Sequence, residues 1–283
     1  MRAEILRKHY LLSDKTMKKH LVLIVFLIVT SFTLHAQQAV LLLDGNYQGK
    51  NLYVQNPFGN GGVGFCVFEV TVNGNVTTDE IASSAFEVDL KAHQLKLGDA
   101  VQVKIKYKSD CQGKPKVLNP EVLKPKSTYE VVKMDIAEDG TIKYTTKGES
   151  GKLSFIIEQF RWNKWVKVGE VDGQGTNGPN DYNFKAALHS GENKFRLKQL
   201  DYSGTPRYSK EVKVTSSTPK VSFAPVKVKD VITFTPGETM YEIYDQYGNL
   251  VKKGFGSSVD CKSLPNGGYY LNYDNSTGEF IKK

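Results

Sequence analysis

From about residue 66 onward the chain alternates apolar and polar residues in short runs closed by turns. Cys66, Phe68, Val70 and Val72 interleave with Val67, Glu69 and Thr71, and Asn73-Gly74 follows as a hairpin turn. Phe86, Val88 and Leu90 interleave with Glu87, Asp89 and Lys91. Val101, Val103, Ile105 and Tyr107 interleave with Gln102, Lys104, Lys106 and Lys108. A period of two with one wet face predicts antiparallel sheets. No long run at helical spacing follows residue 36, so the pattern predicts an all-β protein. The Lys104-Lys106-Lys108 stripe reads as a solvated strand face opposite acids such as Glu87 and Asp89, in preference to a polyanion site.

Turns and prolines divide the chain beyond residue 36 into three β-sandwich units, 37–126, 127–216 and 217–283. Pro115, Pro120 and Pro125 punctuate the first boundary. The second unit is predicted to hold strands at Tyr129 to Ile136, Thr141 to Thr146, Leu153 to Phe160, Trp165 to Val171, Tyr182 to Ala187, Lys194 to Leu200 and Arg207 to Val214. Asp139-Gly140, Trp162-Asn163-Lys164, Ser190-Gly191 and Ser203-Gly204 supply turns between them. Seven short strands at this spacing suggest an immunoglobulin-like sandwich.

Within this unit, Ile156-Ile157-Glu158, Val168 to Val171, Tyr182-Asn183-Phe184, Phe195 to Asp201 and Gly204 to Ser209 resemble fibronectin type III-like modules. That resemblance implies a spacer or binding scaffold without chemistry of its own. The third unit resembles the C-terminal sorting domain that type IX secretion systems recognise. The resemblance is carried by Phe223, Pro225, Val228 and Asp230, by Tyr244-Asp245-Gln246-Tyr247-Gly248, by Leu264 to Tyr270 with Gly268 and Tyr269, and by the ending Phe280-Ile281-Lys282-Lys283. Such domains usually open on Phe/Tyr-Pro-Asn-Pro; Val226-Lys227 stands here in place of the Asn-Pro pair. The resemblance implies an address read by the type IX secretion machinery. It places the protein outside the cell, secreted or on the cell surface at the outer membrane, with the periplasm as the alternative.

The other end of the chain also reads as export. Met17-Lys18-Lys19-His20 is a short basic segment, Leu21 to Val29 is unbroken apolar, and Thr30 to Ala36 ends on a small residue. That is the layout of a secretory signal peptide within residues 1–36, starting at Met17 and cleaved after Ala36. Leu21 to Leu34 spans 14 residues, short of the roughly 20 a membrane-crossing helix needs, so the membrane enters only through export or surface attachment. The full chain carries +8, of which residues 1–36 contribute +4, with six Lys/Arg against two acids. The remaining +4 is spread over 32 basic and 28 acidic side chains, which is too balanced to suggest a nucleic-acid partner. Export would place three cysteines in an oxidising compartment. Cys66 and Cys111 are the natural disulfide pair, and closing the 44 residues between them is worth roughly 4 kcal/mol in the chain-entropy model. Cys261, in phase with Val259, reads as a buried thiol.

Candidate chemistry is sparse. His93 and His189, the histidines beyond residue 36, lie in different units beside turns and read as solvated loop residues without a positioned partner. Gly148-Glu149-Ser150-Gly151 lacks nucleophile-elbow spacing. Gly173 to Gly178 matches Gly-x-Gly-x-x-Gly, but Pro179 and a strand follow where a helix is required, so a hairpin loop is expected. Asp172, Asn177, Asn180 and Asp181 in that loop lack a regular calcium-ligand spacing, and the scattered Cys and His do not fit zinc. No catalytic residue, metal ligand or cofactor is assigned. The speculative binding residues are Trp162, Trp165 and Tyr202, which with Phe160 and Tyr208 form either a platform for a sugar ring or partner protein, or a local cross-strand cluster. Trp165 matches a core position of the related modules, and Trp162, in a turn between charged neighbours, is the better exposed candidate. These residues describe an exported, non-catalytic protein that binds an unknown protein or glycan ligand, or is a structural cell-surface component. The alternatives are a periplasmic or outer-membrane-associated assembly component and a secreted carbohydrate-binding protein.

Overall fold

The computed structural model describes residues 38–283, and the expected signal peptide lies outside the described residues. The protein is all-β, built as successive pairs of facing sheets. In the first, β1 (Gln38–Asn46), β2 (Leu52–Gln55), β3 (Val67–Val72), β4 (Asn75–Val76), β5 (Ala85–Val88), β6 (Ala100–Lys108) and β7 (Lys116–Val117) form sheets ordered β1-β6-β3-β4 and β5-β2-β7. The alternating residues Val101, Val103, Ile105 and Tyr107 of β6 point into the core with Leu52 and Val54 of β2. Lys106 on the opposite face pairs at 2.7 Å with Glu69 of β3, its neighbour in the ladder. The acids expected there are elsewhere: Glu87 accepts from Asn51 at 2.6 Å, and Asp89 caps a short 3-10 turn through the Lys91 amide. Cys66 and Cys111 form the disulfide, with Cα atoms 6.0 Å apart, which ties the entry of β3 to the loop after β6.

The second pair of sheets uses β8 (Glu130–Ile136), β9 (Thr141–Lys147), β10 (Phe155–Arg161), β11 (Lys164–Val171), β12 (Asn180–Lys185), β13 (Gly191–Leu200), β14 (Pro206–Tyr208) and β15 (Val212–Ser216). A β12-β9-β8 sheet faces a sheet ordered β11-β10-β13, with β14 and β15 both on the free side of β13. Two antiparallel sheets in this order make the immunoglobulin-like sandwich expected from the strand spacing. Phe155 anchors its core, edge-on to Tyr129 at 4.9 Å and to Tyr144 at 5.6 Å. The run Arg207 to Val214, expected as one strand, is split at Ser209. There the Leu197 amide donates to the Ser209 hydroxyl at 2.9 Å, and the Ser209 amide donates to the Leu197 carbonyl at 3.0 Å. A side chain thus stands in for one backbone rung. The glycine-rich segment after β11 is also not a hairpin, because β11 and β12 belong to different sheets. It is an arch, held by buried Glu149, whose carboxylate accepts from the Gly175 amide and the Tyr182 hydroxyl, each at 2.7 Å.

The third pair comprises β16 (Ser222–Ala224), β17 (Lys227–Val228), β18 (Val231–Thr235), β19 (Thr239–Asp245), β20 (Leu250–Gly256), β21 (Ser258–Asp260), β22 (Gly267–Tyr273) and β23 (Ser276–Lys282). A β16-β18-β21 sheet faces one ordered β17-β23-β22-β19-β20, in which the β17–β23 pairing is parallel. Val228, Ile232, Ile243, Leu271 and Phe280 fill the space between them, and Cys261 is a fully buried free thiol in the same core.

Replacing both Cys66 and Cys111 by Ala is expected to lower stability by about 4 kcal/mol at most, since the crosslink acts chiefly on the unfolded chain. Thermal unfolding of the double variant checks this; an unchanged midpoint contradicts it.

Candidate functional site

The second and third units meet hairpin tip to hairpin tip. β10 and β11 pair up to Arg161 opposite Lys164, leaving Trp162-Asn163 as a two-residue turn with φ of 50° and 60°. Both values fit the turn type that twists with its strands. Asparagine is at home there; tryptophan is not, because a left-handed backbone is costly for a bulky side chain. What the position gains is contact across the joint. The Trp162 indole N–H donates to the Tyr273 carbonyl at 3.4 Å. The Arg161 guanidinium and the Lys164 ammonium lie 5.9 and 5.8 Å from the ring centre. The opposing tip, between β22 and β23, carries Asp274, also left-handed at φ 46°.

Behind these tips lies a buried polar network. Arg161 is 1% exposed and extends the inward-facing row of β10, Phe155-Ile157-Gln159-Arg161, beyond the apolar core. Its guanidinium donates to the Gln159 side chain at 2.6 Å, the Ala187 carbonyl at 3.1 Å and the Asp274 carbonyl at 3.2 Å. Asp274, also 1% exposed, accepts at its carboxylate from the Ser190 amide at 2.9 Å, the Ser190 hydroxyl at 2.5 Å and the Val221 amide at 3.4 Å. Gln159 donates to Asn193 at 2.7 Å, and the same Asn193 oxygen takes the His189 amide at 3.0 Å. At the rim, Lys164 reaches Glu242 at 2.6 Å and the Tyr244 hydroxyl at 2.7 Å.

Burial lowers the Arg161 pKa to about 10, which leaves it charged at neutral pH. Burial alone would raise Asp274, but the Ser190 and Val221 hydrogen bonds outweigh it and hold the carboxyl below its ordinary range. Burial pushes His189 down, with the Arg161 charge adding to the effect, so the imidazole is neutral in the joint. Its Nε2 has no hydrogen-bond partner. Glu242 is held low by the Lys164 hydrogen bond against the opposing effect of burial.

The expected aromatic platform is not assembled. Trp162 is half-buried in the joint rather than free. Trp165 lies on the outer face of β11, edge-on to Phe160 at 5.4 Å and 4.2 Å from the Arg196 guanidinium, which also stacks on Tyr208 at 4.0 Å. Glu158 neutralises Arg196 at 2.8 Å, closing that stack. Tyr202 follows β13 at the opposite end of the sandwich, with Lys124 5.7 Å above its ring. The length of β10, about 20 Å, separates it from Trp162. His189 likewise differs from expectation: it is 2% exposed and forms part of the joint, not a solvated loop. Among the described residues, no three His, Cys, Asp or Glu side chains converge as a metal site.

The residues that resemble a sorting domain take framework positions. Phe223 packs edge-on to Tyr273 at 5.2 Å, Leu264 packs on the core, and the Asp230 carbonyl accepts the Cys261 amide at 2.7 Å. Asp245 caps the β19–β20 turn, accepting from the Tyr247 and Asn249 amides, each at 2.9 Å, around Gly248 at φ 82°. Tyr269 stacks on Phe280 at 5.3 Å and donates to the Pro265 carbonyl at 2.8 Å. Tyr244 belongs to the joint. Pro225, next to exposed Val226, and Gly268, at the start of β22, lie at the end of the sheet away from the joint. A groove of about 450 Å³ opens there, lined by Val226, Gly268, Tyr270 and Ile281 among others.

Two substitutions test the joint. Trp162→Asn suits the local turn better yet is expected to loosen docking, seen as faster tryptic cleavage at Lys220 in the connecting segment; unchanged protection contradicts the assignment. Asp274→Ala keeps the carbonyl that Arg161 reaches but removes the buried acceptor of the Ser190 amide and hydroxyl and of the Val221 amide, and is expected to cost about 2–3 kcal/mol in urea unfolding. The joint also titrates. His189 has a depressed pKa, so its contribution is present above the ordinary value of 6.5 and is lost as pH falls through it. Asp274 and Glu242, also depressed, hold until pH falls below their ordinary values of 3.8 and 4.5. Stability measured against pH is expected to fall in two steps, and His189→Asn to remove only the upper one.

No family model matches the chain, and no curated protein matches it. Among solved structures, it is similar to a tetra-tandem repeat from the extending region of a large adhesion protein, at 14% identity and TM-score 0.30, over 87% of this chain and 73% of that one. It is also similar to dimeric latent PorU from Porphyromonas gingivalis, at 12% identity and TM-score 0.22, over 87% of this chain and 32% of that one. Fibronectin(III)-like modules of Clostridium thermocellum CbhA align at 11% identity and TM-score 0.21, over 55% of this chain and 93% of theirs. Likenesses this distant carry no argument about the role of the chain.

Proposed function

We propose that this is an exported, non-catalytic β-sandwich protein acting by binding or as a structural component of the cell surface, with its third unit serving as a type IX-like address. The observation that carries this reading is the placement of the third unit. The joint occupies one end of the β22–β23 hairpin, while the groove beside Gly268 and Ile281 opens at the other. A docked unit thus keeps a recognition surface free. The strongly buried ionisable groups support a role without chemistry, since Arg161, Asp274, Glu149 and Glu158 are each occupied in holding units, arches or strands together.

Delivery of the full chain tests the proposal. In cells with a working type IX system the protein is expected at the surface or in the culture fluid, and in cells lacking that system, in the periplasm. The exposed groove substitutions Val226→Glu and Ile281→Glu together are expected to cause the same retention. Equal delivery in all three cases contradicts the address, and periplasmic residence in every case favours an assembly role there.

A further inference from the structure

Among the described residues β1 pairs only with β6, and none of them lies along its other long side. Residues Ala39 to Leu43 are apolar without a break, although successive side chains face opposite sides of the sheet. Ala39, Leu41 and Leu43 face the core and are only half-buried against it, while Val40 and Leu42 on the outer face are 51% and 49% exposed. The 3-10 turn Pro120–Leu123 closes the inner face only at Gly45, where an added Cβ would run into the Leu123 carbonyl. A strand apolar on both faces has the composition of a strand inside a sheet, not at its border.

The other borders among the described residues are defended. β4, β7 and β17 are two residues long, and β14, β16 and β21 are three. The longer edge strands carry charge, such as Lys133 and Asp135 on β8, Lys167 on β11 and Lys252 on β20. Short or charged edges block strand-to-strand association. β1 has neither defence between Gln38 and Leu43.

The strand itself indicates its occupant. Laid antiparallel on its own copy with the two-fold axis at Leu41, it sets Gln38 beside Asp44, Ala39 beside Leu43, and Val40 beside Leu42. Amide meets carboxylate, apolar meets apolar on both faces, and no like charges face each other. An antiparallel pair of identical strands is also a closed two-fold contact that cannot propagate into a fibre. We propose that β1 is a homodimerisation strand, joining two copies into one continuous sheet ordered β4-β3-β6-β1 and its mirror sequence in the partner copy. Edge pairing covers less than the roughly 1,600 Å² of a standard stable interface, so the association is reversible and concentration-dependent.

Sedimentation velocity on the processed protein purified from its producing cells tests this over a range of concentrations. A monomer–dimer equilibrium is expected, and Leu42→Glu is expected to weaken it at least tenfold. The substitution suits the monomer, because residue 42 lies opposite Lys104, and an unchanged thermal midpoint shows that the fold survives. Cysteine pairs test the register: Leu41→Cys should crosslink to itself on mild oxidation, and Val40→Cys should crosslink with Leu42→Cys better than either does alone. A wild-type protein that stays monomeric throughout, a dimer indifferent to Leu42→Glu, or crosslinking without the Val40–Leu42 preference would each overturn the proposal.

Discussion

Arg161 and Asp274 are charged groups withdrawn almost completely from water where two sandwiches meet, and the placement of the third unit depends on the partners that each unit supplies to the other's charge. Neither charge could remain buried alone. Removing an ion from water costs several kcal/mol even in a relaxed protein, and only well-directed partners offset that cost. Here the partners come from both units. The guanidinium ends on a carbonyl of the third unit, and the carboxylate ends on an amide and hydroxyl of the second. Undocking therefore exposes unsatisfied groups on each side at once, which makes the contact closer to all-or-none than to a sliding surface.

Hairpin tips explain why the joint is polar. A two-residue turn offers too little apolar area for a hydrophobic contact to fix an angle, since that force has no direction and scales with area. Hydrogen bonds have direction. The left-handed Trp162 belongs to the same logic: local strain is retained because the indole N–H and the flanking cations over-determine its position. A similar economy of means links the first two units, where the Gln48 side chain donates to the Ser150 carbonyl at 2.5 Å beside the arch held by Glu149.

The all-β class was legible because period-two alternation is a local signal. β6 shows it plainly: every second residue from Val101 to Tyr107 is buried. The Cys66–Cys111 bridge was legible from position among strands. The joint was not, although one trace of it stands in the sequence. The inward phase of β10 passes from Phe155 and Ile157 to Gln159 and Arg161, so a strand aimed at a core ends in polar groups. That pattern announces a buried polar partner, but the partner, Asp274, is more than a hundred residues away and lies in a turn, where an acid is unremarkable. His189 escaped for the same reason: the charges beside it, Arg161 and Asp274, are distant in sequence and only the joint brings them there. Trp162 read as exposed because a turn between Arg161 and Lys164 usually faces solvent, and only the opposing tip reverses that.

Where the chain leaves apolar surface in water indicates how it meets other molecules. Broad sheet faces are neutralised by local pairs, Lys106 with Glu69 and Arg196 with Glu158 between Trp165 and Tyr208. Val40 and Leu42 lie exposed instead along the border strand β1, and Val226, Tyr270 and Ile281 at the open end of the β22–β23 hairpin. Scattered apolar residues need no explanation, but contiguous ones do. At β1 they coincide with backbone that no other described residue pairs, and at the hairpin end with a groove. Recognition through edges and ends requires that the units be held at fixed angles, because an edge is useful only if its neighbours do not swing across it. A joint of buried, mutually dependent charges supplies that rigidity where an apolar contact of the same size would not.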